Sequence, residues 1–187
     1  MVEIAQVING RAYSQPELLS EGKYPVLRVG NFFTNNSWYY SNLELEENEY
    51  CDNGDLLYAW SASFGPKLWN GNKVIYHYHI WKIDCSKIID KKFLYYWLQS
   101  EDMANQAFSI KHGATMAHLT KEKMEKLMVP IPPLSEQERI VGILDKFDAL
   151  VTSTSSATGG IPAEIAARRK QYEYYREKLL TFEPLAN

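Results

Sequence analysis

Cysteine and long apolar runs are scarce in this chain. Two cysteines, Cys51 and Cys85, occur among its 187 residues, and their separation fits no metal-ligand spacing. So few thiols indicate reduced cysteines in a cytoplasmic protein rather than a disulfide framework. No window approaches the roughly 20 apolar residues of a membrane-spanning helix. The first residues lack the basic region and apolar core of a signal peptide, so we expect no membrane association.

Motifs that carry catalysis are missing as well. The chain has no Gly-rich phosphate-binding loop, no G-x-S-x-G nucleophile motif and no carboxylate pair that the pattern places in a cleft. His77 and His79 lie two residues apart and are compatible with a metal site. Its third ligand would be His112 or His118, although hydrogen-bonded histidines in a sheet are commoner. The sequence therefore predicts a protein without catalytic activity or cofactor, and a histidine-based metal nuclease is the alternative.

Acidic residues are absent from two windows, although the chain as a whole carries a formal net charge of −3. The windows run from Leu56 to Ile83 and from Met103 to Lys121, and they contain all four histidines. Each window includes a glycine-bearing polar loop. Phosphates and base edges require local positive potential and short polar donors rather than a basic chain. The loops Ser61–Lys73 and Lys111–Thr115, helped by Asn31–Tyr40, are therefore predicted to form a DNA-binding face.

The residues predicted to contact DNA are polar, cationic or aromatic, and they lie in these three loops except for Trp60, which directly precedes Ser61. They are Asn35, Asn36, Trp60, Ser61, Ser63, Lys67, Trp69, Asn70, Lys73, Lys111, His112 and Thr115.

The order of the predicted elements indicates an α+β fold with a twisted mixed sheet and flanking helices, because strands and helices do not alternate as in βαβ units. Strands are predicted at Tyr24–Gly30, Asp55–Ser61 and Lys73–Asp84, the last of which carries large side chains on both faces. A helix is predicted at Asp90–Met103, and Thr120 is expected to cap a short helix that ends at Met128. The segment Val129–Pro133 is expected to be strand-like.

Two helices are predicted in the last third of the chain. Ser135 and Glu138 fit a capping box, and apolar residues at helical spacing follow as far as residue 151. Pro162 then suits the first turn of a second helix, which we expect to end near residue 182. Residues 1–133 are accordingly interpreted as one domain, and residues 134–187 as a helical spacer.

The second helix carries apolar or bulky residues at a/d heptad spacing. Such a seam predicts a coiled coil with a partner helix, and packing on the chain's own domain is the alternative. We predict an antiparallel homodimer through residues 161–182. Its interface residues are Ile165, Arg168, Tyr172, Tyr175, Leu179 and Phe182.

The motif PPLSEQERIVGILDKFDAL, followed by GGIPAEIAARRKQYEYYREKLLTF, resembles the helical region of specificity subunits from type I DNA restriction–modification systems. The segments YPVLRVGNFF, GDLLYAWSASFGPKLWNGNKVIYHYHIWKI and HGATMAHLTKEKMEKLMVPIPPL resemble the target recognition domain of the same family. The resemblance covers nearly the whole chain, and the C-terminal motif is specific.

This resemblance implies a non-catalytic subunit that reads double-stranded DNA and sets the target for methyltransferase (modification) subunits and, through them, a restriction subunit. The specificity subunit of a related restriction–methylation enzyme outside type I is a close alternative. A usual family member has two recognition domains and two helical regions, whereas this chain has one of each. We therefore expect a half-size subunit or a fragment, and half-size subunits can pair to rebuild the two-domain arrangement.

Overall fold

The computed structural model describes residues 1–61, 63–107, 119–156 and 162–182, with the backbone alone for 151–156 and 162–165. Its strands form two four-stranded sheets. The first is antiparallel, with the order β1-β8-β5-β6; the second has the order β3-β2-β7-β4 and contains one parallel pair, β2 with β7. The strands are β1 (Ala5–Asn9), β2 (Tyr24–Leu27), β3 (Tyr39–Ser41), β4 (Tyr50–Cys51), β5 (Leu56–Ser61), β6 (Ser63–Leu68), β7 (Val74–Tyr76) and β8 (Ile80–Cys85).

The described residues also form six α-helices, five of which follow the last strand. They are α1 (Val29–Phe33), α2 (Lys91–Trp97), α3 (Glu101–Ala107), α4 (Lys121–Glu125), α5 (Leu134–Ser156) and α6 (Pro162–Leu180). This architecture confirms the predicted α+β fold, with two sheets in place of one. None of the described helices is both long and apolar enough to cross a membrane.

The predicted strand Lys73–Asp84 is wrong, because the chain reverses within it. β7 and β8 belong to different sheets, and a tight turn separates them. The Ile80 amide closes this turn by donating to the His77 carbonyl oxygen at 2.9 Å. His77 and His79 therefore do not share a strand face. Large apolar residues on both sides of the turn give a continuous pattern that conceals the reversal.

The segment predicted as a loop between Ser61 and Lys73 contains β6, which pairs with β5 along its whole length. Gly65 and Pro66 are turn-forming residues, and they indicated a loop. β6 is an edge strand of the first sheet, where proline is tolerated because its missing N–H faces no neighbouring strand.

Three other predicted elements differ in their bounds. The strand from Tyr24 ends at Leu27, and α1 begins two residues later. The helix predicted at Asp90–Met103 is divided into α2 and α3, and Val129–Pro133 is not a strand. Thr120 caps a short helix as predicted, because its hydroxyl accepts a hydrogen bond from the Lys123 amide at 3.3 Å. This helix ends at Glu125 rather than at Met128.

The main core lies between the first sheet and the helices. The fully buried Phe93, Leu94 and Trp97 of α2 occupy its centre. α5 contributes the buried side chains of Ile140 and Leu144 to the same core. Leu180, at the end of α6, is also in this core and is 1% exposed. The long helices are therefore packed on the domain that holds the sheets.

A buried amide fastens α5 to the start of α2. The Gln137 side chain is 0% exposed, and its Oε1 atom accepts a hydrogen bond from the Asp90 amide at 2.7 Å. Its Nε2 atom donates to the carbonyl oxygens of Ile88 at 3.1 Å and Pro132 at 2.8 Å. One side chain thus satisfies three backbone groups where the helical region joins the rest of the chain.

Replacing Gln137 with leucine is expected to lower the free energy of unfolding by about 3 kcal/mol, because three buried backbone groups lose their partner. Chemical denaturation followed by circular dichroism measures this change. Glu138→Gln is the matched control: Glu138 is the exposed neighbour on the same helix, and its replacement should change the stability by less than about 0.5 kcal/mol. Equal stability of both variants would contradict this role of the amide.

Candidate nucleic-acid interface

The tip of the β5–β6 hairpin brings three predicted DNA-contacting residues together. Trp60 lies at the end of β5, and Ser61 pairs with Ser63 across the tip. The Trp60 ring is stacked on Trp81 with 5.5 Å between ring centroids, and its indole N–H donates to the Tyr78 carbonyl oxygen at 2.9 Å. The indole therefore anchors the neighbouring turn, while Ser63 is exposed and accessible to a ligand.

Lys67 is used within the chain at the end of α1. Its Nζ atom donates to the Phe32 carbonyl oxygen at 2.6 Å and lies 5.5 Å from the centre of the Phe32 ring. A cation is favourable there because the last carbonyls of a helix are negatively polarised. The exposed Asn36 follows this helix, as does Asn35, whose Oδ1 atom accepts a hydrogen bond from the Ser37 amide at 2.7 Å.

Lys73 lies among acidic residues rather than in a basic patch. Its Nζ atom is 3.2 Å from Glu47 Oε1 and 3.6 Å from Asp52 Oδ2. It also lies 4.5 Å from the centre of the Tyr50 ring. The hydrogen bond to Glu47 is the main cause of the raised pKa of Lys73. Glu47 and Asp52 therefore offset the positive charge that was predicted for the Ser61–Lys73 loop.

Trp69 lies beside an aromatic cleft on the second sheet. Its indole N–H donates to the Asn72 carbonyl oxygen at 2.9 Å, and its ring meets Trp38 edge-on at a centroid distance of 6.5 Å. The cleft has a volume of about 230 Å³ and is also lined by Pro25 and Tyr40. The loop next to it exposes Asn70.

The predicted DNA-contacting residues of the described ranges lie in three segments, and their arrangement into one DNA-binding face stays a prediction. Trp60, Ser61 and Ser63 are at the hairpin tip, and Asn35, Asn36 and Lys67 are at the end of α1. Trp69, Asn70 and Lys73 are in the loop before β7. Lys111, His112 and Thr115 lie outside the described residues, so their contacts stay a prediction.

A cationic residue and a turn were missed by the sequence analysis. The guanidinium carbon of Arg28 lies 4.2 Å from the centre of the Tyr39 ring, and no ion pair of Arg28 is present among the described residues. The turn consists of His77, Tyr78 and His79, whose rings are in mutual contact. The absence of acidic residues between Leu56 and Ile83 was the signal that could have identified this turn. The prediction of a continuous strand concealed it.

Burial favours the uncharged form of both histidines of the turn. Burial, followed by electrostatic interaction with His79 and Arg28, lowers the pKa of His77 to about 4. Burial also lowers the pKa of His79. Their ring centroids are 4.9 Å apart. Within the described ranges, no group of three or more His, Cys, Asp or Glu residues could hold a metal ion. His112 and His118, the third ligands of the nuclease alternative, lie outside those ranges.

Half of the predicted helical seam is occupied within the chain. Tyr172 and Leu179 pack against the main core, together with Leu180, which the sequence analysis did not select. Tyr175 is stacked on Phe147 of α5 at a centroid distance of 5.1 Å and is 38% exposed. α6 therefore runs back along α5 as a helical hairpin.

The remaining seam residues lie at the surface or have side chains outside the described residues. Phe182 is 37% exposed, with its ring centroid 6.4 Å from that of Phe93. Arg168 is partly exposed, and the side chain of Ile165 is outside the described residues. A partner helix would therefore meet only part of the predicted seam.

Comparisons with known proteins agree with this architecture. A candidate type I restriction enzyme specificity subunit of Haemophilus influenzae is 33% identical over 170 residues, which are 87% of this chain and 42% of that protein. The specificity subunit of a type I restriction enzyme from Escherichia coli is 42% identical over 91 residues, 49% of this chain and 22% of its own length. The chain thus spans less than half of either relative.

Solved structures show the same fold. The HsdS subunit from Thermoanaerobacter tengcongensis matches with a TM-score of 0.65 and 18% identity, over 95% of this chain and 43% of that one. The S subunit of a type I restriction–modification system from M. genitalium matches with a TM-score of 0.56 and 17% identity, over 82% of this chain and 39% of that one. The family model described as the type I restriction modification DNA specificity domain matches residues 1–165. This chain belongs to the family of type I restriction–modification DNA specificity domains.

Proposed function

We propose that this chain recognises a DNA sequence and thereby sets the target of methyltransferase and restriction subunits in a type I restriction–modification system. The match of residues 1–165 to a DNA specificity domain carries the proposal. The named relatives are specificity subunits, which supports a role in recognition rather than in chemistry. In this role the chain neither cuts nor methylates DNA by itself, and it needs no cofactor. Residues 1–133 read the DNA, and residues 134–187 act as the spacer.

A second copy of the chain is proposed to complete the assembly. One copy spans less than half the length of its relatives. The family resemblance implies that a usual member contains two recognition domains. Identical chains most often pair about a two-fold axis. Two copies joined through α6 would hold two identical readers apart, so the DNA target would consist of two inverted half-sites with an unread gap.

Methylome sequencing tests the proposed function. We expect cells that carry this chain with its modification subunit to methylate one motif, and cells that carry the modification subunit alone to leave it unmethylated. Replacing residues 1–133 with those of another family member is the matched control, because it should change the motif without removing methylation. Purified separately, the chain should show no turnover with Mg²⁺ and S-adenosylmethionine. An unchanged motif after the replacement, or turnover by the chain alone, would contradict the proposal.

A further inference from the structure

The turn between β7 and β8, here called the histidine turn (His77, Tyr78 and His79), has a backbone held from several sides. The His77 amide donates to the Leu27 carbonyl oxygen at 2.9 Å, and the Tyr78 amide donates to the Arg11 carbonyl oxygen at 3.0 Å. These bonds attach the turn to β2 and to the segment after β1. Its conformation is therefore fixed before any ligand arrives.

Trp60 holds the outer side of the histidine turn. Its backbone amide donates to the His79 carbonyl oxygen at 3.1 Å, and its indole N–H donates to the Tyr78 carbonyl oxygen at 2.9 Å. The hairpin tip and the turn thus form one rigid unit. Side chains on a rigid unit lose little conformational entropy when they bind, which favours accurate recognition.

The side chains of the turn are available for hydrogen bonding. Tyr78 is 40% exposed, and in the described part of the chain neither its hydroxyl nor the His79 ring nitrogens have a hydrogen-bond partner. The His79 ring meets the Trp60 ring edge-on at a centroid distance of 5.2 Å. An uncharged imidazole offers one donor and one acceptor, and a tyrosine hydroxyl offers both.

The cationic side chains near the turn belong to neighbouring segments of the chain. Arg28 is close enough to lower the pKa of His77, whereas no carboxylate contributes to the pKa of either histidine. Arg11 also lies nearby, but its guanidinium is paired with Glu17 at 2.8 Å. Uncharged polar side chains therefore lie beside one cation that has no ion pair within the described ranges.

We propose that the histidine turn reads bases: Tyr78 and His79 form hydrogen bonds with base edges in a groove of duplex DNA, and Arg28 contacts a neighbouring phosphate. This inference rests on the proposed DNA-recognition function and adds residues to it. Hydrogen bonds to base edges distinguish sequences, whereas phosphate contacts supply affinity that depends on salt. The division between neutral and charged groups at the turn matches these two tasks.

Binding of the full chain, in complex with its modification subunit, to two fluorescent duplexes tests this inference. One duplex contains the motif identified by methylome sequencing, and the other contains the same bases in scrambled order. Tyr78→Phe and His79→Phe should each weaken binding to the motif duplex by about tenfold and leave binding to the scrambled duplex unchanged. Arg28→Gln should weaken binding to both duplexes and lower the slope of log affinity against log salt by about one, while Arg28→Lys keeps the slope.

Tyr24→Phe is the matched control, because it removes a tyrosine hydroxyl at the start of β2 whose partner is Glu44. Both affinities should stay at the wild-type values. Circular dichroism confirms that each variant is folded. If the wild type prefers the motif and both turn variants keep that preference, the base-reading role is wrong and the DNA-recognition function stands. A wild type that binds both duplexes equally would overturn the function and this inference together.

Discussion

Replacing Gly10 with alanine is expected to lower the free energy of unfolding by about 3 kcal/mol and to abolish preference for the methylated motif. A Cβ atom at Gly10 would lie 2.4 Å from the His77 carbonyl oxygen and 2.6 Å from the Tyr76 carbonyl oxygen. Both obstacles are backbone atoms, and they belong to the end of β7 and the start of the histidine turn. The turn would have to move away from β1, and its side chains would move with it.

Thermal unfolding and the two-duplex binding assay, performed below the unfolding transition of the variant, measure these effects. Gly142→Ala is the control, because a Cβ atom there meets nothing within 4 Å and Gly142 lies inside α5. It should raise the stability by up to about 1 kcal/mol, since alanine has the higher helix propensity. The close approach at Gly10 would have no structural importance if Gly10→Ala were as stable and as selective as the wild type.

The C-terminal helices could be predicted closely because their signals are local. Apolar residues at helical spacing and Pro162 predicted helices at 135–151 and 162–182, and the structure has Leu134–Ser156 and Pro162–Leu180. Thr120 was likewise predicted correctly as a helix N-cap from the local sequence. The packing of α6 was not predicted, because heptad spacing is the same whether the partner is another chain or the chain's own core.

The candidate site was predicted less well because its geometry depends on distant residues. Whether a lysine is available to DNA depends on partners that composition does not show. Lys67 finds its acceptor 35 residues earlier and Lys73 finds a carboxylate 26 residues earlier. The histidine turn exists because β7 and β8 join different sheets, and no local residue pattern distinguishes that reversal from a continuous strand.

Replacing Tyr174 with glutamate is expected to weaken the proposed homodimer by about a thousandfold, because a two-fold interface meets the change twice and an interface aromatic contributes about 2 kcal/mol at each position. Tyr174 is 59% exposed and lines an open groove of about 740 Å³ between α6 and the start of α3. Lys170 and Glu177 line the same groove. A two-fold axis between residues 173 and 174 would set Lys170 of each copy against Glu177 of the other.

Tyr174 separates dimerisation from folding, which Leu179 cannot do because Leu179 packs on the chain's own core. The described contacts of the Tyr174 ring are with its neighbours Tyr175 and Lys178 on α6, so Tyr174→Glu should leave the fold of the single chain intact by circular dichroism. Its melting temperature should fall only by the stabilisation that dimerisation gives the wild type. Light scattering at tens of micromolar measures the mass, with Lys146→Gln as a control that changes the charge by the same amount at an exposed position of α5. A monomeric wild type, a Tyr174→Glu variant that stays fully dimeric, or a methylated motif without two-fold symmetry would each remove the proposed pairing through α6 as the working assembly.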